Sequence, residues 1–253
     1  TIEIGRSITQ IRETYNKKGY YFAKVELDNE ALKEGRVIFK IEEAARVKIG
    51  GVKFEGNSVY TSSELKKVVK VKKRKFIFFS VYLRDKSIEE DITRIKDVYS
   101  EKGYIDAECT TEFEFDDALK KAVVVFKIVE GSEYKTSSIA ITGNQFFTSQ
   151  QLLEGAKLIE GKPFNPKFAE FDNQAIQDKY REVGFVDTKV TMKRNYGGDN
   201  TVAVEYAVVE SERFRIGRIE ITGNQTTHDK VVRRELDETD FSPGQWYNAA
   251  AAK

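Results

Sequence analysis

One cysteine and one histidine are all that 253 residues hold of the side chains most used for nucleophilic and metal chemistry. A lone Cys109 forbids an internal disulfide, although disulfide-free chains occur in oxidising compartments too. One Cys and one His cannot make a zinc-ligand set. Any Ser-His-Asp or Cys-His arrangement would have to use His228. Only 3 prolines and no Ser/Gly-rich tract argue against long disordered linkers. Basic and acidic residues number 42 and 41, so net charge points to neither nucleic acid nor an anionic membrane. No apolar run reaches the roughly 18 residues of a membrane-crossing helix. No signal peptide opens the chain. Thr1 falls in the middle of a repeated unit, so the N-terminus is expected to be an artificial boundary and the missing leader says nothing.

What the chain does have is repetition. Val52-Lys53-Phe54-Glu55-Gly56-Asn57 returns as Ile139-Ala140-Ile141-Thr142-Gly143-Asn144 and as Ile219-Glu220-Ile221-Thr222-Gly223-Asn224. The asparagines are 87 and 80 residues apart. A second signature interleaves: Tyr15…Gly19-Tyr20, Tyr99…Gly103-Tyr104 and Tyr180…Gly184-Phe185, its glycines 84 and 81 apart. Two signatures at one period mean tandem copies of one unit. The period exceeds the roughly 20–50 residues of solenoid repeats and suits small domains with their own cores.

The second copy reads as β-α-α-β-β. Val47, Ile49, Val52 and Phe54 near-alternate with polar residues, a strand pattern that Gly56-Asn57 ends. Thr61 with Glu64 three places on is a capping box for a first helix. A basic, aromatic loop follows, Lys72 to Phe79. A second helix is expected to start at Ser87, with Glu90 completing another box. Ile88, Ile92, Ile95 and Tyr99 fall on one face of it, and Gly103 lies where a C-terminal cap is wanted. The second strand is expected over Ile105–Phe115, with Ala107, Cys109, Phe113 and Phe115 on the core face. Asp116-Asp117-Ala118-Leu119 turns it into an almost wholly apolar central strand, Val123–Val129.

The domains predicted are 1–45, the C-terminal part of a copy; 46–132 and 133–212, two complete copies; and 213–253, the start of another. In the first, Ile4, Ile8, Ile11 and Tyr15 match the helix stripe at an offset of 84, and Val37, Phe39 and Ile41 form the last strand. In the third, Thr148 and Gln151 cap helix one, Asn165-Pro166 starts helix two, and Gly197-Gly198-Asp199-Asn200 is a hairpin turn. The run Ala249–Ala252 replaces the expected helix stripe and reads as vector sequence or as alanine standing in for other residues.

Chemistry finds little purchase. His228 reads as an exposed first-turn residue beside Asp229. Carboxylate pairs such as Glu89-Glu90 and Asp116-Asp117 read as solvated surface, and no phosphate-binding loop is present. Cys109 alternates with Ala107 and reads as a small core residue. Lys72–Phe79 reads as a loop with solvated lysines and anchoring aromatics, against the alternative of headgroup or nucleic-acid contact.

The β-α-α-β-β unit with Gly-Asn after strand one and Tyr-x-x-x-Gly-Tyr after helix two resembles the POTRA (polypeptide-transport-associated) domain. The tandem array is similar to the periplasmic arm of the BamA family of outer-membrane β-barrel assembly proteins. Gly223-Asn224 through Leu236 matches the start of the barrel-proximal unit most closely. The resemblance implies an α+β fold, two helices on one face of a three-stranded mixed sheet. It implies a C-terminal transmembrane barrel absent from this chain, and a location at the periplasmic face of a Gram-negative-type outer membrane. Its implied partners are unfolded outer-membrane β-barrel proteins and assembly-machinery lipoproteins, with no nucleic acid. A related translocation-and-assembly or polypeptide-transport protein is the runner-up within the class. A nucleic-acid or anionic-surface module using Lys66–Lys75 is the runner-up outside it.

In that family the second strand lies at a sheet edge, here about Tyr21–Leu27, Asp106–Phe115 and Val186–Asn195. An edge offers unpaired N–H and C=O groups to which an extended client could add a strand. The candidate binding residues are Asp106, Glu108, Thr110, Glu112, Asp187, Lys189, Thr191 and Lys193. No catalytic residue, cofactor or metal is expected. The joins at 41–47 and 209–214 carry no Pro or Gly spacer, which favours a semi-rigid arm.

Overall fold

The computed structural model describes residues 2–71, 81–237 and 242–249. The basic loop Lys72–Phe79 and residues 250–252 of the alanine run lie outside the described residues. The chain forms two compact units, residues 1–100 with 104–132, and residues 101–103 with 133–253.

In the first unit, α1 (Ile2–Lys17) carries the half-buried stripe Ile4, Ile8, Ile11 and Tyr15. β1 (Lys24–Leu27) pairs antiparallel with β2 (Phe39–Glu42). Val37 lies outside that strand, exposed. Between the strands sits a helix the periodicity did not foretell, α2 (Asn29–Lys33), capped by Asp28. Its five residues are too few to show a period.

The second copy follows within the same unit. Its elements are β3 (Lys48–Glu55), α3 (Ser62–Val68), α4 (Asp85–Glu101), β4 (Glu108–Phe115) and β5 (Lys121–Val129). β5 is central, parallel to β3 and antiparallel to β4. Leu65 from α3 and Ile88, Ile95 and Tyr99 from α4 meet Val47, Ile49, Val124 and Phe126 in one core. Each such side chain contributes about 1.5–3 kcal/mol by leaving water.

The second unit repeats the plan with β6 (Lys135–Thr142), α5 (Ser149–Leu153), α6 (Pro166–Glu182), β7 (Lys189–Gly197) and β8 (Thr201–Val209). Its sheet order is β6-β8-β7, with the same parallel and antiparallel pairings. The expected α+β fold is therefore observed. The fourth copy contributes α7 (Asp229–Asp237), but Ile219–Thr222 form no strand. Among the described residues there is no central strand for them to pair with.

Several local expectations hold. Thr61 with Glu64 and Thr148 with Gln151 both make complete capping boxes. Asn165 accepts from the Lys167 and Phe168 N–H groups with Pro166 in the first turn. The second helix of copy two does not start at Ser87, however. It starts at Asp85, and its cap comes from another copy: Asp85 N–H donates to Asn16 Oδ1 (3.0 Å) and Asn16 Nδ2 donates to Asp85 Oδ2 (2.9 Å). Glu90, released from capping, pairs with Arg94 at 3.2 Å.

The two repeated signatures meet at one carboxylate. Glu130, just past β5, accepts from Ser58 N–H (2.6 Å), Val59 N–H (2.8 Å) and the Tyr99 hydroxyl (2.8 Å). Glu210, just past β8, accepts from Gln145 N–H (2.8 Å), Phe146 N–H (2.9 Å) and the Tyr180 hydroxyl (2.7 Å). The asparagine of each Gly-Asn pair donates to a carbonyl three residues on: Asn57 to Tyr60, Asn144 to Phe147, Asn224 to Thr227. The glycine is required by proximity as well as by φ. A Cβ on Gly56 would lie 2.1 Å from the Ile128 carbonyl oxygen, and one on Gly143 2.1 Å from that of Val208.

The other glycine signature serves the joints. Within the first unit Val47 N–H donates to Gly19 O (3.1 Å); within the second, Tyr134 N–H donates to Gly103 O (2.9 Å) and Phe214 N–H to Gly184 O (2.8 Å). The Gly184 joint is clamped by Arg213, whose guanidinium lies 3.6 Å from the Trp246 ring centroid.

Two substitutions separate close approach from φ alone. Gly143 and Gly155 both have positive φ, but only Gly143 meets backbone. Gly155→Ala should cost about 1–2 kcal/mol, the left-handed penalty, and Gly143→Ala more than about 3 kcal/mol. Equal losses in urea unfolding would contradict this.

A third substitution tests Glu210. Burial works against its charge, but the Phe146 N–H, the Tyr180 hydroxyl and the Gln145 N–H outweigh that and hold the carboxyl below its ordinary range. A lowered folded pKa stabilises above the unfolded value and ceases to do so as pH falls through the folded one. Glu210→Gln should therefore cost roughly 1–3 kcal/mol at neutral pH. The deficit should shrink once pH drops below about 4. Unfolding curves that kept the same gap from pH 7 to pH 3 would rule out a charged acceptor.

Candidate functional site

The second strand of each complete copy runs along an open edge. β4 pairs through Glu108↔Val129 to Phe115↔Ala122 on one side, and β7 through Lys189↔Val209 to Gly197↔Thr201. Among the described residues, no further segment bonds to the backbone on the outer side of either strand.

The first-strand edges differ. Ile49 N–H donates to Val81 O (2.7 Å) and Leu83 N–H to Val47 O (2.8 Å). In the other sheet, Thr136 N–H donates to Lys162 O (2.9 Å) and Gly161 N–H to Thr136 O (2.7 Å). The Glu160 carboxylate takes the Ile139 N–H as well (2.9 Å). The segment before each second helix thus closes part of one edge and leaves the other to solvent. This asymmetry comes from tertiary packing, and no residue pattern announces it.

Six of the eight sequence-predicted residues lie on these edges. Glu108, Thr110 and Glu112 are exposed on β4, and Lys189, Thr191 and Lys193 on β7. Asp106 and Asp187 do not; both sit in turns before their strands. The aromatic residue after the joint glycine causes this. Tyr104 packs edge-on against Tyr99, and Phe185 against Tyr180. Ala107 N–H then reaches back to Tyr104 O, and Thr188 N–H to Phe185 O. The chain must finish that turn before it can enter the ladder.

Charge on the edge strands is drawn inward across the outer sheet face. Glu112 pairs with Lys127 on β5 (2.5 Å), and Glu114 reaches Lys53 on β3 (2.7 Å). Lys193 lies 3.9 Å from Glu205, its register partner. Cross-strand pairs of this exposed kind contribute little stability. Their geometry keeps these side chains over the sheet and away from the backbone rim.

Buried carboxylates are committed to structure. Asp91 is fully buried and accepts from Lys70 N–H and Val71 N–H, with Arg94 at 2.5 Å. Asp172 does the same for Lys157 N–H and Leu158 N–H. They seal the first helix's exit loop. Among the described residues no group of three or more His, Cys, Asp or Glu could hold a metal. His228 is exposed immediately before α7.

The sequence reading missed Asn16 as a cap and Glu130 and Glu210 as ties. A signal for the second existed: Glu43, Glu130 and Glu210 recur at 87 and 80 residues, the same spacings as the asparagines.

The family model described as POTRA, surface antigen variable number repeat, matches residues 47–131, 134–211 and 214–253. A putative outer membrane protein assembly factor of Treponema pallidum is 28% identical over 233 residues, 89% of this chain and 28% of that protein. Outer membrane protein assembly factor BamA of Nitratidesulfovibrio vulgaris is 27% identical over 247 residues, 92% of this chain and 31% of that protein. The chain thus spans under a third of each relative's length. The crystal structure of Haemophilus influenzae BamA POTRA3-5 superposes with a TM-score of 0.57 at 24% identity, covering 81% of this chain and 82% of that one.

Cys109 reports on the β4 edge. Its thiol faces the core side of the strand, and burial pushes it up to about 11. Alkylation at pH 8 should run at least about 100-fold slower than for a free thiol, for want of thiolate. A rate near that of free cysteine would show β4 detached from the core.

Proposed function

The chain belongs to the POTRA family, in a tandem array of the BamA type, and from that premise we propose that it is a non-catalytic periplasmic arm of an outer-membrane β-barrel assembly factor. Its role is to receive unfolded outer-membrane β-barrel proteins and to dock assembly-machinery lipoproteins. It delivers clients to a C-terminal transmembrane barrel of the same protein.

The observation that supports this reading is the open edge on β4 and β7, set against the partly closed edge on β3 and β6. Backbone donors and acceptors ignore side-chain identity, so an extended client of almost any sequence can add a strand there. The exposed alternation Glu108, Thr110, Glu112 and Lys189, Thr191, Lys193 suits an edge that stays soluble while unoccupied.

The test is an NMR titration of the 253-residue chain with a peptide from an outer-membrane barrel strand, at low and high salt. Backbone shifts centred on Thr110 and Glu112 or on Thr191 and Lys193, unchanged by salt, are the expected result. Binding that collapses steeply with salt would transfer the activity to the basic run Lys66–Lys75 and a phosphate-bearing partner. Saturable binding with silent edges would leave the arm as a dock for folded partners alone.

A further inference from the structure

The two complete copies differ at three positions where the fold itself makes no demand. Phe168 and Phe171 lie on α6, three residues apart and so on one face. Their equivalents are Ser87 and Glu90 in copy two, and Glu3 and Arg6 in copy one. The loop before α6 adds Ile159. Asp172 takes the Lys157 and Leu158 N–H groups as Asp91 takes those of Lys70 and Val71, which makes Ile159 the counterpart of Lys72. Copy two thus folds with three polar residues where copy three has three apolar ones.

Those apolar side chains are not used inside the second unit. Ile159 is 58% exposed, Phe168 44% and Phe171 52%. Ile159, Leu158, Pro163 and Phe168 border one cleft of about 230 Å³. Lys157 also lines it and lies 5.5 Å from the Phe171 ring centroid, which joins the second phenylalanine to the patch. Contiguous apolar surface of this kind marks an interaction site.

The rim says what kind. Glu101, Lys102, Lys157 and Lys162 line the cleft; Glu101 is paired with Lys167 at 2.7 Å, and neither Lys157 nor Lys162 has a carboxylate within ion-pair distance among the described residues. The nearby Glu160 carboxylate is engaged by the Ile139 N–H. An apolar floor bordered by lysines outside any ion pair is complementary to an apolar ridge flanked by acids. The patch runs along a helix, so it suits side-chain anchors better than a backbone ladder. We propose that the α6 face of copy three is a docking surface for an amphipathic helix of a partner protein, its apolar anchors seated on Ile159, Phe168 and Phe171 and its acidic flank on Lys157 and Lys162. This is a second surface, independent of strand addition.

The probe is a synthetic amphipathic helical peptide with Phe and Leu at helical spacing on one face and glutamates flanking them. Its control carries lysines in place of the glutamates. In NMR titrations of the 253-residue chain, the acidic peptide should shift Ile159, Lys162, Phe168 and Phe171 while Thr191 and Lys193 stay still. The double variant Phe168→Ser with Phe171→Glu installs residues that copy two already tolerates at these positions. It should keep its unfolding midpoint and bind at least about tenfold more weakly. The lysine peptide should be weaker still on the unchanged chain. Equal affinity of the chain and its variant, equal affinity of the two peptides, or no saturable shift would each overturn the proposal. So would concentration-dependent self-association that the double variant abolishes, since a second copy would then be the occupant.

Discussion

Each complete copy turns on one carboxylate at the exit of its central strand. Glu130 and Glu210 gather two backbone N–H groups from the loop after strand one and a tyrosine hydroxyl from helix two. Three segments far apart in sequence are thereby tied to a single oxygen. Without it, two amides and a phenol would be left without partners in a half-buried loop, which is costly. The tie also explains why both sequence signatures exist. Gly-Asn shapes the loop whose amides reach the carboxylate, and Tyr-x-x-x-Gly supplies the hydroxyl. The tyrosine answers in kind, since burial and the carboxylate together raise its hydroxyl far above the ordinary phenol value and keep it a donor.

With strand one, helix two and the central strand locked, the remaining geometry has little freedom. The segment leading into helix two must pass the outside of strand one, where it closes that edge. The second strand is left on the far side with one neighbour. The same segment meets the preceding copy's glycine: a Cβ on Gly19 would come within 2.6 Å of Tyr82 Cβ, and one on Gly184 within 3.5 Å of Trp246 Cβ. Edge exposure and joint formation are therefore two consequences of one chain path. The acidic groups that other folds would converge on a reaction centre are here spent on backbone amides, at Asp91, Asp172, Glu130 and Glu210. That distribution suits the proposed scaffold, with the open edges and the α6 face as its proposed recognition surfaces.

The sequence was most readable where partners lie within a few residues. The Thr61 and Thr148 capping boxes, the Asn165-Pro166 start and the Gly197–Asn200 hairpin each depend on contacts across five residues or fewer, so composition and spacing suffice. The helix stripe Ile88, Ile92, Ile95 and Tyr99 was equally plain, because one buried face imposes its period on the residues that fill it. Glu108, Thr110, Glu112, Lys189, Thr191 and Lys193 fall on strands that lie at sheet edges, as alternation and the family resemblance together led one to expect. Asp106 and Asp187 do not, because the turn that holds them answers to a ring packed on the previous helix.

The sequence by itself determined the repeat, its β-α-α-β-β order and the caps and turns at Thr61, Thr148, Asn165 and Gly197–Asn200, since these rest on local propensity and on periodic burial. Tertiary structure alone decided which edge stays open, that Asn16 caps a helix 69 residues away, and that a glutamate binds the two signatures together. It also decided that Phe168 and Phe171 face solvent rather than core. The physical reason is one of range. A cap or a stripe is written in neighbouring residues, whereas a hydrogen bond between distant segments exists only after the chain has brought them together.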